Sequence, residues 1–430
     1  MKASDTHRAV DAIWRIESAR IIAGLVRIVH DVGLAEELAQ DALVAALERW
    51  PESGVPENPG AWLMATAKHR AIDNLRRGKI VDRKHEELGR ELEAQQELAA
   101  AELEAAMDNT IGDDLLRLVF ISCHPILSTE ARVALTLRLL GGLTTEEIAR
   151  AYLVSEATIA QRIVRAKRTL AEGRVPFEVP RGTELDARLA SVLQVLYLIF
   201  NEGYSATAGD DWMRPALCEE AQRLGRILVE LVPSEPEVHG LVALMEIQAS
   251  RSRARVGPSG EPILLLDQNR AHWDQLLIQR GLAALDRAQR LSPALGPYAL
   301  QAAIAASHAR ALSAEDTDWA RIVGLYDALA QLVPSPIVEL NRAVAVSMAS
   351  GPQAGLELLD RLAAEPSLQN YHLLPSVRGD LLAKLNRFEE ARGEFERGAS
   401  LTRNTREREL LLERALAAQG RISTISASHA

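Results

Sequence analysis

At 430 residues and a formal net charge of −10, the chain cannot coat nucleic acid along its length, because non-specific binding rests on many cation–phosphate contacts. Any such contact must come from local basic patches. Hydrophobic residues make up 47% and aromatics 4%, in an Ala/Leu-rich pattern that almost nowhere alternates as strands do, so the expected fold is all-α, with room for two to four domains.

The chain begins MKASDTHRAVD, with acids where a signal peptide needs an apolar core. Residues 10–77 then read as helices, interrupted at Val32-Gly33 and by the loop PESGVPENPG at 51–60. Ile13, Ile16, Ile21, Ile22, Leu25 and Ile28 are expected to form the apolar stripe of the first arm, and Leu34, Leu38, Ala42 and Leu47 that of the second. Glu36, Glu37, Gln40 and Asp41 make an acidic and polar face on the second helix, which taken alone reads as solvated surface. The third segment, AWLMATAKHRAIDNLRRGK at 61–79, turns Trp62, Leu63, Ala67, Ile72 and Leu75 inward and crowds Lys68, His69, Arg70, Asn74, Arg76, Arg77 and Lys79 on the outside. It is a cationic helix in an acidic chain.

Residues 81–112 are acidic and rich in Glu, Ala and Leu, and read as a solvated helix or linker. DDLLRLVFISCHPILSTEARVALTLRLLGG, from residue 113, reads as two helices broken at His124-Pro125, the second opened by Ser128 as N-cap with Ala131, Leu135 and Leu139 inward. Cys123 and His124 are adjacent, yet no further Cys or His lies at ligand spacing, so no metal is expected and His124 reads as a turn residue. With Cys218 far away, the two thiols suit a reducing cytoplasm.

Residues 143–170, LTTEEIARAYLVSEATIAQRIVRAKRTL, carry the most information. Thr144 and Glu147 form a Thr-x-x-Glu capping box that starts a helix at about Thr145, with Ile148, Ala149 and Tyr152 on one face. Ser155 caps a second helix whose stripe is Ile159, Ile163, Ala166 and Leu170. Two capped helices across a tight break are the grammar of a helix-turn-helix. On the second helix Thr158, Gln161 and Arg162 are placed to read base edges, and Arg165, Lys167 and Arg168 to hold phosphates. A solvated basic face is the plainer alternative for such a helix.

After a Pro/Gly-bearing linker at 175–182 come an apolar helix at 185–200, too short to span a bilayer, the turn NEGYSATAGDD, and a helix from Met213 or Pro215 to Leu231. Asn201, Glu202 and Tyr204 lack a nucleophile–base pair or a phosphate cradle, so a turn that satisfies its own amides is expected there and no catalysis. Residues 254–266, with VGPSGEP, read as a loop insertion of unknown purpose. Leu231-Val232-Pro233, Leu291-Ser292-Pro293 and Leu332-Val333-Pro334 each close one helix and open another, which marks a repeat. In the unit LPSVRGDLLAKLNRFEEARGEFERGASLT at 374–402, Gly379, Leu382, Ala391 and Phe395 sit where a tetratricopeptide repeat packs two helices, although Arg403 stands at the expected closing proline. A helical solenoid is the expected architecture.

DVGLAEELAQDALVAALERW followed by NPGAWLMATAKHRAIDNLRRGK resembles domain 2 of the bacterial sigma-70 superfamily in its extracytoplasmic-function branch, and residues 143–170 resemble the helix-turn-helix of domain 4. The resemblance covers roughly residues 9–173, and YLIFNEGY is similar to part of the long C-terminal extension of one subgroup, which carries tetratricopeptide repeats. It implies a sigma factor, not an enzyme, with core RNA polymerase (β′ clamp helices and β flap) and promoter DNA as partners, and neither cofactor nor metal. Glu37, Gln40 and Asp41 would meet polymerase, Lys68, Arg70, Asn74, Arg76 and Arg77 the minus-ten element, and Thr158, Gln161, Arg162, Arg165, Lys167 and Arg168 the minus-thirty-five element; Trp62 would be structural. Five segments follow: 9–80 as domain 2, 81–112 as an acidic linker, 113–174 as domain 4, 183–280 as a helical extension and 281–420 as repeats that regulate the factor or bind a protein partner. The competing expectation is a stand-alone helix-turn-helix regulator that senses a ligand or protein through its solenoid. No membrane partner is expected.

Overall fold

The computed structural model describes residues 3–83, 111–152 and 154–428, which form eighteen α-helices, short 3-10 turns and a two-residue strand pair. The all-α expectation holds. Most of the acidic segment at 81–112 lies outside the described residues. The chain divides into two compact units, Met1–Leu196 and Tyr197–Ala430.

In the first unit α1 (Ala3–Val29) packs against α2 (Val32–Ser53), α3 (Pro59–Arg83) and α4 (Ile111–Ser122). Its buried stripe runs through Ser18, Ala19, Ile21, Ile22, Leu25 and Val26. Ile16, expected in that stripe, is 62% exposed. Five residues before Ile21, it lies roughly 140° around the helix at 100° per residue, on the solvent side. Asp31 caps α2 by accepting from the Leu34 amide at 2.8 Å, and the helix buries Ala35, Ala39, Ala42 and Ala46 as well as Leu38. Trp50 is fully buried and meets Trp62 of α3 edge-on at 5.3 Å, consistent with a structural part for Trp62.

Three further helices follow: α5 (Thr129–Leu139), capped by Ser128 as read from the sequence, α6 (Thr145–Tyr152) and α7 (Glu156–Glu172). The His124 ring nitrogen accepts the Ile126 amide at 3.1 Å, which makes this residue a turn former, and burial pushes its pKa down. The linker at 175–182 and the first part of α8 (Thr183–Tyr204) belong to this unit. There Arg188 donates to the Phe120 carbonyl at 3.1 Å and Ser191 to that of Cys123 at 2.7 Å, satisfying carbonyls that the end of α4 leaves open.

The second unit stacks helix on neighbouring helix: α9 (Pro215–Leu231), α10 (Pro236–Ala249), α11 (Gln275–Leu291), α12 (Pro297–Arg310), α13 (Trp319–Leu332), α14 (Pro336–Ser350), α15 (Pro352–Leu362), α16 (Leu373–Lys384), α17 (Phe388–Leu401) and α18 (Thr405–Ser428). The Leu-x-Pro repeat is a helix terminator each time. α9, α11 and α13 end on Leu231, Leu291 and Leu332, the next residue caps them, and a second proline starts the following helix at Pro236, Pro297 and Pro336.

Residues 201–204, expected as part of a turn, form the last turn of α8 instead. The loop after them is held from elsewhere rather than by its own amides alone. Ala208–Gly209 pairs in parallel with Arg403–Asn404, and the buried Asn404 donates to the carbonyls of Ala206 (3.1 Å) and Asp211 (2.8 Å). Arg403 therefore replaces the expected proline at a point where the backbone is extended and paired. Glu202 takes the Thr207 hydroxyl at 2.9 Å and pairs with Arg214. The insertion at 254–266 supplies Arg255, whose guanidinium lies 3.5 Å over the Tyr204 ring, while the nearby Arg270 lies 4.8 Å over Trp273.

Gly379, Leu382, Ala391 and Phe395 come together between α16 and α17, where a Cβ on Gly379 would stand 2.6 Å from the Phe395 ring. Gly379→Ala should therefore destabilise the second unit by about 1–3 kcal/mol in chemical denaturation through overpacking. Gly393→Ala, on an exposed position of α17 with nothing near its Cβ, should be neutral or stabilise by up to about 1 kcal/mol.

Candidate nucleic-acid interface

The helix-turn-helix forms because each of its helices has a local N-terminal partner. The Thr144 hydroxyl accepts the Glu147 amide at 3.1 Å and the Glu147 carboxylate accepts the Thr144 amide at 2.8 Å, closing the capping box in both directions. The Ser155 hydroxyl accepts the Thr158 amide at 3.2 Å. Between the two helices the Val154 amide returns to the Ala149 carbonyl at 3.1 Å, which makes the break tight. α7 then buries Ile159, Ile163, Ala166 and Leu170, the stripe read from the sequence.

Burial of that stripe turns the opposite side of α7 to solvent. Gln161, Arg165 and Arg168 are exposed, and Thr158 and Arg162 are half-exposed. Thr158 Oγ1 lies 2.7 Å from the Ser155 hydroxyl, so the cap also orients it. Arg168 pairs with Glu172 one turn on at 2.6 Å, an exposed contact that a phosphate can replace. Lys167 differs: its ammonium lies against Glu36 of α2.

On α2 and α3 the structure brings two of the expected sites into contact. Arg70 meets Asp41 at 3.0 Å in an exposed pair, and Lys68 and Asn74 lie on the same helix as Arg70, half-exposed and exposed. The side chains of Arg76 and Arg77 lie outside the described residues. Glu37 and Asp41 are exposed, while Gln40 donates to Glu36 at 2.6 Å.

Glu36 itself is only 4% exposed, against the reading of this face as wholly solvated. Its carboxylate also takes the Nε of Arg138 on α5 at 2.6 Å. Nothing in the local pattern singled out Arg138. The one available signal was the alanine series 35, 39, 42, 46, which continues the buried face of α2 alongside position 36.

Both thiols are buried, Cys123 against the Thr136 hydroxyl at 3.3 Å, and burial pushes their pKa values up to about 11 and about 12, so neither is a ready nucleophile or ligand. Among the described residues no three His, Cys, Asp or Glu side chains converge to hold a metal, and no helix is long and apolar enough to cross a membrane.

Comparison with known proteins agrees with this arrangement. Residues 16–80 match the family described as Sigma-70 region 2, residues 117–170 match Sigma-70, region 4, and residues 188–289 match a family of unknown function, DUF6596. An uncharacterized protein of Rhizobium meliloti (strain 1021) is 44% identical over 387 residues, 90% of each chain. The probable ECF RNA polymerase sigma factor SigI of Mycobacterium tuberculosis (strain ATCC 25618 / H37Rv) is 24% identical over 173 residues, which span 40% of this chain and 58% of that one. The ECF RNA polymerase sigma factor SigK of Mycobacterium ulcerans (strain Agy99) is 28% identical over 157 residues, 35% of this chain and 78% of that one.

Since the Ser155 cap sets where α7 begins, Ser155→Ala should cost about 0.5–2 kcal/mol in denaturant unfolding, whereas Ser155→Gly should cost only a few tenths.

Proposed function

The chain belongs to the sigma-70/ECF-like family, and on that premise we propose that it binds core RNA polymerase and directs promoter-specific initiation. The observation that carries the reading is the pairing, on one chain, of a capped helix-turn-helix presenting Thr158, Gln161, Arg162 and Arg165 with a two-helix segment whose exposed face is acidic on α2 and basic on α3. A stand-alone regulator has no need of the second element.

In this reading Glu37, Gln40 and Asp41 meet the β′ clamp helices and domain 4 meets the β flap. Lys68, Arg70, Asn74, Arg76 and Arg77 hold the opened minus-ten strand, where cations along a groove leave bases free to stack. Thr158, Gln161 and Arg162 face base edges in the major groove at minus-thirty-five, and Arg165 and Arg168 face phosphates. The second unit modulates the factor or binds a partner. Its cleft of about 690 Å³, lined by Trp212, Met213, Arg226, Arg253 and Arg280 among others, has the size of a small-molecule site.

Mixed with core polymerase and a library of start-site fragments, the purified protein should open and transcribe a defined subset; a yield no higher than that of bare core refutes the reading. A stand-alone regulator would fail to co-purify with core in stoichiometric amount. Truncation after Leu196, which keeps the Arg188 and Ser191 caps of α4, should change activity or its regulation. If neither changes, the modulatory part falls.

Arg162→Ala should cost about 1–3 kcal/mol of discrimination at one upstream position, and Arg168→Ala should weaken binding to all sequences and flatten the salt dependence. Identical behaviour of the two variants across promoter variants contradicts the division between base readers and phosphate holders.

A further inference from the structure

The insertion at 254–266 gains a use from the cleft it borders. α9 turns Gln222 and Arg226 to that cleft, α11 gives Leu277 and Arg280, and the insertion closes one side with Val256 and Gly260. Gly260, at a positive φ of 84°, lies so near the start of α18 that a Cβ there would stand 3.5 Å from the Arg406 guanidinium. The cavity of about 690 Å³ lies wholly within the second unit.

Four arginines and four carboxylates line it, so the count alone decides nothing; their pairing does. Arg226 meets the buried Glu246 at 3.3 Å, in whose field Arg280 also stands, and Arg406 meets Glu409 at 3.0 Å. Among the described residues the side chains of Arg253 and Arg280 have neither an ion pair nor a hydrogen bond. Two of the carboxylates are taken up locally. Asp274 accepts the Leu276 and Leu277 amides at 2.9 and 3.1 Å, and Asp210 accepts the Thr405 hydroxyl at 2.9 Å, while Asp211 and Glu219 are exposed.

Behind one wall of the cleft the charge is uncompensated. Trp212 belongs to that wall, and Arg255 stands 5.5 Å over its ring. Arg255 and Arg251 are both buried, lie 3.5 and 5.8 Å over the same Tyr204 ring, and have no ion pair among the described residues. Burial pushes the Arg255 pKa down, and the Arg251 charge pushes it further. Two guanidinium groups in a medium of low dielectric constant, with no carboxylate between them, send a positive field into the adjoining cavity. The Trp212 indole nitrogen and Arg251 Nε are also buried without a hydrogen-bond partner.

We propose that this cleft binds a phosphorylated small molecule, its phosphate held by the unpaired forks of Arg253 and Arg280 beside Trp212. A guanidinium fork matches two oxygens of a phosphate at once. Two free forks with two buried cations behind them call for more than one negative charge, which a phosphate ester supplies and a single carboxylate does not. The proposal deepens the reading of the second unit as a modulatory body by naming the chemistry of its ligand.

The test is calorimetric titration of the full chain, at about 0.15 M salt to suppress loose ion pairing, with pyrophosphate, ATP and citrate in separate runs. Pyrophosphate or ATP should saturate a single site. Arg253→Met and Arg280→Met, both at exposed positions, should each weaken that binding about tenfold or more with helical circular dichroism intact. Arg361→Met, exposed on α15 and outside the cleft, should leave it unchanged. Absence of saturable binding by both phosphates overturns the proposal, as does equal weakening by Arg361→Met, and citrate bound more tightly than either phosphate overturns the phosphate assignment. Neither polymerase nor DNA is in the cell, so a failed titration leaves the promoter reading standing and a failed transcription assay leaves the titration standing.

Discussion

A core with few aromatic residues can be dry only if its helices come very close together, and this constraint governs the whole molecule. Each buried alanine removes little apolar area from water, so cohesion must come from many close interfaces rather than a few large side chains. α2 turns Ala35, Ala39, Ala42 and Ala46 inward, and the cluster around Ala243, Ala302, Ala303, Ala305 and Ala306 does the same between α10 and α12. At Gly240 the approach is closer still: a Cβ there would stand 2.7 Å from the Ala299 backbone nitrogen. Where backbones approach this closely, polar groups at helix ends cannot reach water and must be answered by the neighbouring helix.

That answer recurs in several forms. The Glu237 carboxylate of α10 accepts the Tyr298 and Ala299 amides at the start of α12 at 2.8 and 3.1 Å, although burial alone pushes its pKa up. Arg188 and Ser191 close the carbonyls at the end of α4. Asn404 reaches back almost two hundred residues to close the loop after α8. Glu36 is the charged extreme of the same pattern. Desolvating a lone carboxylate costs several kcal/mol, and Arg138 and Lys167 offset that cost only while α5 and α7 stay in place. The contact thus couples an electrostatic requirement to a conformational one.

In the second unit the same packing rule produces an array in which helices pack on their sequence neighbours. Leu231, Leu291 and Leu332 end their helices at matching points, and the paired prolines restart the chain in a preset direction. The insertion at 254–266 departs from this order, but its Arg255 stacks on Tyr204 and so fastens the loop to the end of α8. Contacts made chiefly with helices one or two places along the chain suit a body whose faces can vary without disturbing its core.

Much of the candidate site was legible because its determinants are local. The capping box Thr144/Glu147, the Ser155 cap and the stripe Ile159, Ile163, Ala166 and Leu170 lie within a few residues of what they control, so the sequence by itself determined the helix-turn-helix and which face of α7 meets solvent. The helix terminators and the Gly379–Phe395 packing pair were legible for the same reason. Tertiary structure alone decided what lies far apart in the chain: that Asn404 holds the loop after Tyr204, and that Glu36 leaves water to meet Arg138 and Lys167. Periodicity reports how a helix faces its nearest partner. It carries no information about a charge whose partners stand more than a hundred residues away, because their meeting depends on where every intervening helix has packed.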